Sequence, residues 1–414
     1  MPTAKSRCRH CGAELNQTLV DLGSSPLCNS LVDEANLQAG ESFYPLHVRI
    51  CGVCFLAQLD EFVSPAEIFS EYSYFSSFSD SFVAHAKAYA DMAIRRFNLT
   101  PASKVVEVAS NDGYLLQHFV ARNIPVLGIE PALNVAAEAR HKGVPTVSHF
   151  LGAETGQAIR NEHGAADLVA ANNVLAHTPY LNEFVIGLRH LIRDTGVVTV
   201  EFPHLIPLIE NNLFDTIYHE HFSYFSLFSV ERVFATNSLR VFDVEVLDTH
   251  GGSLRVFAEP SDAAPARELS PAITARRAAE AAFGIDKLTT YSRYSEQVER
   301  TKRELLTCLI GLRNAGKRIV GYGAPGKGNT LLNYCGIRTD FLDYMVDRNP
   351  YKQGKYTPGT RIPIHSPDKI RLTRPDFILI MPWNLKSEII GQLGYVREWG
   401  ARFIVPLPVV TILD

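Results

Sequence analysis

Two C-x-x-C knuckles, Cys8-Arg-His-Cys11 and Cys51-Gly-Val-Cys54, stand 39 residues apart near the start of the chain. Each knuckle can offer two thiolates to one ion, and two knuckles complete a tetrahedral shell. Such a shell is closed, so the spacing predicts a structural zinc that folds its domain and takes no part in chemistry. Gly12 and Gly52 suit the tight turns that knuckles require. Five of the seven cysteines lie in the first 54 residues, a metal-binding pattern that belongs to a reducing compartment rather than to a disulfide framework. The fifth, Cys28, reads as a buried thiol or a loop residue. His10, inside the first knuckle, is not expected to replace a cysteine.

Composition narrows the partners. The 414 residues leave room for several domains at ~100–200 residues each. With 40 basic and 44 acidic residues the net charge is −4, so the basic excess of a general nucleic-acid binder is absent. Residues 40–80 are rich in Phe, Tyr and Ser rather than Lys and Arg. No uncharged apolar run approaches the ~18 residues of a membrane span, and Met1-Pro-Thr-Ala-Lys lacks the apolar core of a secretory signal. The expectation is a cytoplasmic monomer without nucleic-acid or membrane partners.

Beyond the knuckles the pattern is α/β. A helical period over 81–98 precedes the short apolar run Val105–Val108, the turn Ala109–Gly113 and a helix from Tyr114 to Ala121. Strands follow at Val126–Ile129, Asp167–Ala171 and Val197–Glu201, with helices at Leu133–Lys142 and Leu181–Ile192. A second alternating block has strands at Arg318–Tyr322, Tyr344–Asp347 and Phe377–Ile380, and a helix begins at Thr330. One or two helices occupy 262–316, after the linker 261–266. Alternation of this kind implies mostly parallel sheets covered by helices.

The run Glu107-x-Ala109-x-Asn111-x-Gly113 joins a strand to a helix, where small residues let backbone approach a ligand at the strand's carboxyl end. Glu130 ends the next strand, where an acid accepts hydrogen bonds from ribose hydroxyls. A dinucleotide turn would need G-x-G-x-x-G, which is missing. This turn is similar to that of class I S-adenosylmethionine methyltransferases, with Ala109 where a first glycine is usual. The candidate cofactor set is Glu107, Ala109, Asn111, Gly113, Glu130, Pro131, Phe150, Asn172 and Asn173.

Tyr218-His219-Glu220-His221 packs four polar groups into an apolar, aromatic stretch. Histidine titrates near neutrality, so His221 is the candidate general base, with Glu220 to orient it or contact the substrate and Tyr218 to bond a substrate or enolate oxygen. His219 alternates away from His221 and reads as structural; His204 is left unassigned. His177 follows the strand that carries Asn172 and Asn173. His250 opens a Gly-Gly turn and is a candidate substrate contact. The Gly-rich loop with Tyr322, Gly323, Lys327 and Asn329 suits a phosphate at a helix start, although the P-loop spacing fails. Asn384 is a weaker candidate for the same region, and the strand end Asp347-Arg-Asn-Pro350 is a further candidate to hold a ligand.

These segments together resemble one family, the nucleotide-sugar C-methyltransferases that make branched deoxysugars. The resemblance runs over essentially the whole chain. It is carried by the knuckles, Glu107–Gly113, Tyr218–Phe225, His250–Arg255, Gly321–Asn329 and Pro382-Trp-Asn384. It implies a zinc-ribbon domain (1–75), a central class I methyltransferase, Rossmann-like domain (76–260) and a C-terminal Rossmann-like α/β domain (261–414). It also implies S-adenosylmethionine and structural zinc as cofactors, and methylation at C3 of a nucleoside-diphosphate 4-keto-6-deoxy sugar, with dTDP the nucleotide that the family suggests. In the family the histidine matching His177 belongs to the active site. So does a tyrosine of Glu71-Tyr-Ser-Tyr74; Tyr74 is assigned to catalysis and Tyr72 to substrate. Two other readings compete: a nicotinamide-dependent oxidoreductase or epimerase using the C-terminal block, and a zinc-ribbon binding protein with a degenerate methyltransferase domain.

Overall fold

Val105–Val108 alternates its side chains between two apolar layers, and that alternation sets the sheet within its helices. Val106 and Val108 join a core with the helices Leu181–Leu191 and Leu227–Thr236. Val105 faces the other layer, with Tyr89, Ala90 and Ala93 of the helix Asp80–Arg96. That helix buries residues at positions 86, 89, 90 and 93, one face of a 3.6-residue period, and Ser79 caps it by accepting the Phe82 N–H.

The computed structural model describes residues 6–69 and 75–414. The chain divides into two units. The first holds Met1–Asn16, Cys51–Leu205 and Phe222–Asp286; the second holds Gln17–Ile50, Ile206–His221 and Lys287–Asp414.

In the first unit, seven strands form one sheet: β1 (Val105–Val108), β2 (Val126–Ile129), β3 (Thr146–Val147), β4 (Ala166–Asn172), β5 (Ile192–Pro203), β6 (Leu239–Leu247) and β7 (Ser253–Pro260). Their order is β6-β7-β5-β4-β1-β2-β3. The strands β1 to β5 run parallel, and β7 is antiparallel to both β5 and β6. The sequence reading places β1, β2, β4 and β5 but names neither β6 nor β7. The reason lies in β7, which is buried throughout yet carries Arg255 and Glu259, so it lacks a continuous apolar signature. Both charges are paired: Glu259 with Arg240 and Arg267, and Arg255 with Glu201 and Glu245. The predicted helix 114–121 narrows to Gln117–Val120, preceded by turns.

The second unit holds a six-stranded sheet of β8 (Ile319–Tyr322), β9 (Met345–Val346), β10 (Ile364–His365), β11 (Phe377–Ile380), β12 (Arg402–Val405) and β13 (Thr411–Leu413), in the order β10-β9-β8-β11-β12-β13. All neighbours are parallel except β12 and β13. The hairpin of Gln17–Ser25 with Tyr44–Ile50 and the helix Tyr294–Asn314 belong to the same unit.

Candidate active site and zinc centre

The knuckles bring four sulfurs within 4.8 Å of one another. Cys8 and Cys54 Sγ are 3.5 Å apart, and Cys11 and Cys51 Sγ 3.6 Å. Tetrahedral zinc with ~2.3 Å bonds to sulfur places sulfurs about 3.8 Å apart, so the set fits the ion. Donors support the sulfurs: the Gln58 amide lies 3.2 Å from Cys8 Sγ, and the Val53 N–H 3.4 Å from Cys51 Sγ. The hydrogen bond from Cys54, aided by backbone and Gln58 and opposed by burial, draws the Cys8 pKa down to about 4. The left-handed residue of the first knuckle is Gly12 (φ +74°), as its sequence suggests. In the second it is Phe55 (φ +59°), not Gly52. His10 bonds Asn182 Oδ1 at 3.0 Å, away from metal duty. These four cysteines are the zinc-binding cluster.

The turn after β1 places Ala109 (φ +55°), Asn111 (φ +48°) and Gly113 (φ +79°) in the left-handed region. A Cβ on Gly113 would sit 2.9 Å from Val144 Cγ2, so glycine is required there twice over. Glu130 shapes the turn: its carboxylate accepts the Asn111 and Ala132 N–H groups, each at 2.9 Å. The Asn111 side chain accepts the Ser76 N–H at 2.8 Å. Asp112 is fully buried and paired with Lys142 at 2.8 Å. Glu107 is also buried; desolvation first, then the charges of Glu130 and Asp112, push its pKa well above the carboxylate range.

Several polar atoms here lack a partner among the described residues. They are Glu107 Oε2, Asn172 Oδ1 and both amide atoms of Asn173, at the carboxyl ends of the adjacent strands β1 and β4. Buried polar atoms are normally satisfied, so this cluster fits a polar ligand laid across the strand ends. Phe150 is 44% exposed in the loop after β3, and Pro131 follows β2. His177 ends a short 3-10 turn after β4, next to Ala176, whose carbonyl accepts the Phe222 N–H at 2.7 Å. His250 holds a left-handed conformation (φ +54°) between β6 and β7. Tyr72 and Tyr74 lie outside the described residues.

In the second unit, His221 Nδ1 donates to the Thr216 carbonyl at 2.8 Å, which leaves the Nε2 lone pair as the proton acceptor. The rings of Tyr218 and His221 lie 4.0 Å apart. Glu220, 4% exposed, accepts from Asn29 Nδ2 at 2.5 Å and from the Cys28 thiol at 3.5 Å. His219 points elsewhere, toward the Tyr44 and Pro45 carbonyls at 3.3 and 3.2 Å, and burial lowers its pKa. The helix Gly326–Cys335 grips the same segments: Asn329 Nδ2 donates to the Cys28 carbonyl at 2.6 Å, and Thr330 Oγ1 to the Ile217 carbonyl at 3.0 Å. A Cβ on Gly326 would meet Cys28 Sγ at 2.9 Å. Nothing local marks Cys28 or Asn29 in the sequence, because their partner Glu220 lies 192 and 191 residues away.

Lys327 hydrogen-bonds Asn384 and lies 4.4 Å from the Trp383 ring centroid; burial lowers its pKa. Beside it, buried Asp215 accepts the Trp383 indole N–H at 2.7 Å. Burial pushes the Asp215 pKa up to about 6 against the opposing Lys327 charge. Tyr322 Oη bonds Gln392, and Gly323 (φ +83°) packs against Pro382. Asp347 engages its carboxylate with the Ala324 and Asn349 amides, each at 2.8 Å. That arrangement leaves little for the ribose contact an oxidoreductase would need. His204 pairs with Glu280 at 2.7 Å inside the first unit, where Glu280 also accepts the Leu227 and Phe228 N–H groups.

The strand order of the first unit, with ligand-seeking polar groups at the ends of β1 and β4, defines a Rossmann-like methyltransferase. Three family models match along the chain: "Putative zinc binding domain" over residues 8–69, "Methyltransferase domain" over 82–244, and "C-methyltransferase C-terminal domain" over 248–408. The chain is 39% identical over 401 residues to C-methyltransferase NovU of Streptomyces niveus, covering 97% of this chain and 95% of that one. The chain belongs to the S-adenosylmethionine-dependent C-methyltransferase family. Solved structures are more distant. The PH0226 protein of Pyrococcus horikoshii OT3 is 14% identical, with 48% of this chain and 99% of that chain covered and a TM-score of 0.38. Magnesium protoporphyrin IX methyltransferase of Synechocystis PCC 6803 with bound SAH is 14% identical, with 42% and 82% covered and a TM-score of 0.35.

Proposed function

We propose that this C-methyltransferase methylates C3 of a nucleoside-diphosphate 4-keto-6-deoxy sugar, with dTDP as the nucleotide, through an enolate. Carbon beside a ketone becomes nucleophilic when its proton leaves and the electron pair spreads onto the carbonyl oxygen. His221 takes that proton on Nε2, Tyr218 stabilises the enolate oxygen, and Glu220, held by Asn29 and Cys28, bonds the sugar. The observation that carries this reading is the His221 tautomer: a carbonyl occupies Nδ1, so Nε2 is left as the base. When bound, S-adenosylmethionine supplies an electrophilic methyl on a sulfonium. Glu107, Ala109, Asn111, Gly113, Glu130, Pro131, Phe150, Asn172 and Asn173 are assigned to hold it, with His177 near the transferring methyl. Tyr74 joins the catalytic set. Tyr72, His250, Tyr322, Gly323, Lys327 and Asn329 are assigned to the nucleotide sugar. For Lys327 the support is its low-polarity seat against Trp383, which strengthens attraction for a phosphate.

The reading keeps the three-part organisation 1–75, 76–260 and 261–414, and a cytoplasmic monomer without nucleic-acid or membrane partners. No described helix is long and apolar enough to cross a membrane. The test is incubation with methyl-labelled S-adenosylmethionine and a panel of dTDP-4-keto-6-deoxy sugars differing at C2 and C3, followed by mass spectrometry and NMR. A carbon-linked label at C3 is expected. Cofactor binding without transfer to any panel member would refute the acceptor class.

A further inference from the structure

Glu201 lies fully buried near the carboxyl end of β5, yet it touches four other segments of the first unit. Its carbonyl accepts the Asn173 N–H at 2.7 Å, where Asn173 turns left-handed (φ +54°). Its carboxylate lies 3.0 Å, through either oxygen, from His85 Nε2, and accepts from Thr249 Oγ1 at 3.1 Å. Arg255 Nη2 pins the same carboxylate at 2.7 Å. Arg255 is itself fixed by Glu245 at 2.9 Å and by the Tyr89 ring, whose centroid is 4.7 Å away. Burial alone would raise the Glu201 pKa; the His85 hydrogen bond and the Arg255 charge outweigh it and hold the group ionised, with a pKa of about 2. The Phe82 ring sits among the same parts, 6.4 Å from His85, 6.0 Å from His250 and 5.3 Å from Tyr114.

A buried ion pair is poor support for stability, since an apolar pair of similar size is often as stable or more so. It holds direction, and here it holds direction for three parts at once. We propose that Glu201, anchored by Arg255, is a positioning residue for methyl transfer: through its main chain it sets the Asn173 turn, and through its carboxylate it sets His85 and the Thr249–His250 turn. Movement of the β5 end would then misplace both the cofactor side and the acceptor side. The proposal rests on the assignment of Asn173 to cofactor and His250 to acceptor.

The test compares Glu201→Gln, Thr249→Val, His85→Gln and Asn173→Gly in the full chain. S-adenosylhomocysteine affinity is measured by calorimetry, kcat and acceptor KM by labelled-methyl transfer, and folding by urea unfolding. Glu201→Gln is expected to weaken S-adenosylhomocysteine about tenfold and to lower kcat, because a charge-assisted anchor becomes a neutral one. Thr249→Val, which removes one hydrogen bond to Glu201, and His85→Gln, which removes the contacts of Nε2 with both Glu201 oxygens and with Arg255 Nη2 at 3.2 Å but keeps the Arg255–Glu201 pair itself, are expected to keep that affinity within about twofold and to lower kcat about tenfold. A folded Glu201→Gln protein that binds S-adenosylhomocysteine and turns over like the parent overturns the proposal. If that variant does not fold, unchanged kcat in both Thr249→Val and His85→Gln overturns it instead. Asn173→Gly separates the two levels. Weakened binding there beside unchanged Glu201→Gln rejects the anchor and keeps the cofactor assignment; the reverse pattern keeps the anchor and rejects that assignment.

Discussion

Replacing Asp215 by Asn should change how stability depends on pH, by an amount the structure sets. Asp215 is buried, accepts the Trp383 indole at 2.7 Å through one oxygen, and has no partner among the described residues for the other. Burial raises its pKa from 3.8 to about 6. Below ~pH 4 the carboxyl is protonated both folded and unfolded, and it makes no difference to stability. Between ~pH 4 and ~pH 6 the unfolded chain gives up its proton first, so the folded state loses ground. Above ~pH 6 the full penalty stands, about 3 kcal/mol at ~1.4 kcal/mol per pH unit. Roughly half of it develops between about pH 5 and about pH 8. The Asp215→Asn variant would carry no such penalty, whatever its fixed cost from an ill-placed amide. The two tryptophans, Trp383 and Trp399, both lie in the second unit, so urea unfolding followed by their fluorescence reports on the right part. The gap in unfolding free energy between variant and parent should move by ~1.5 kcal/mol in favour of the variant from pH 5 to pH 8. A gap that stays constant would mean that Asp215 is ionised throughout, and that its burial is better compensated than the distances imply.

Other perturbations test other parts. His221→Ala should abolish methyl transfer while S-adenosylhomocysteine affinity, measured by calorimetry, survives; normal turnover would remove His221 from the mechanism. Cys8→Ser with Cys51→Ser should lose zinc and unfold the knuckle region; stoichiometric metal by mass spectrometry would contradict the four-thiolate site. Gly113→Ala should cost about 2–4 kcal/mol, from left-handed strain plus the clash with Val144, and is checked by thermal unfolding. Ala109→Gly should be neutral or stabilising by up to ~1 kcal/mol, since it relieves a left-handed alanine, and a loss of several times that would show that the methyl packs usefully.

Local features of this protein are legible in its sequence. The knuckles announce the zinc cluster because their spacing is itself the ligand geometry. The Val105–Gly113 strand and turn are legible because an apolar strand runs straight into small residues, and Ala109, Asn111 and Gly113 do turn left-handed there. What stays hidden is assembled from afar. Cys28 and Asn29 acquire meaning only when Glu220 is placed on them, and Glu201 only when Arg255 arrives from a strand whose charges hide its burial. Asn329, assigned to substrate, donates its amide to the Cys28 carbonyl, a use that no local pattern could reveal. Gly52 looked like the turn residue, while Phe55 takes the left-handed position.

The interleaving of the two units has a consequence for how the chain is made. It passes between units five times, at 16/17, 50/51, 205/206, 221/222 and 286/287. The second unit is closed by bonds such as Cys28 to Asn329, 301 residues apart, and Glu41 to Arg361, 320 apart. On the ribosome, at ~5–20 residues per second, the segment 17–50 waits roughly 10–40 seconds for His219 and Glu220 and roughly 15–65 seconds for Asn329 and Arg361. The first unit can complete its seven-stranded sheet once residue 260 has emerged, whereas the second unit must wait for Asn329 and Arg361 to close its longest-range bonds.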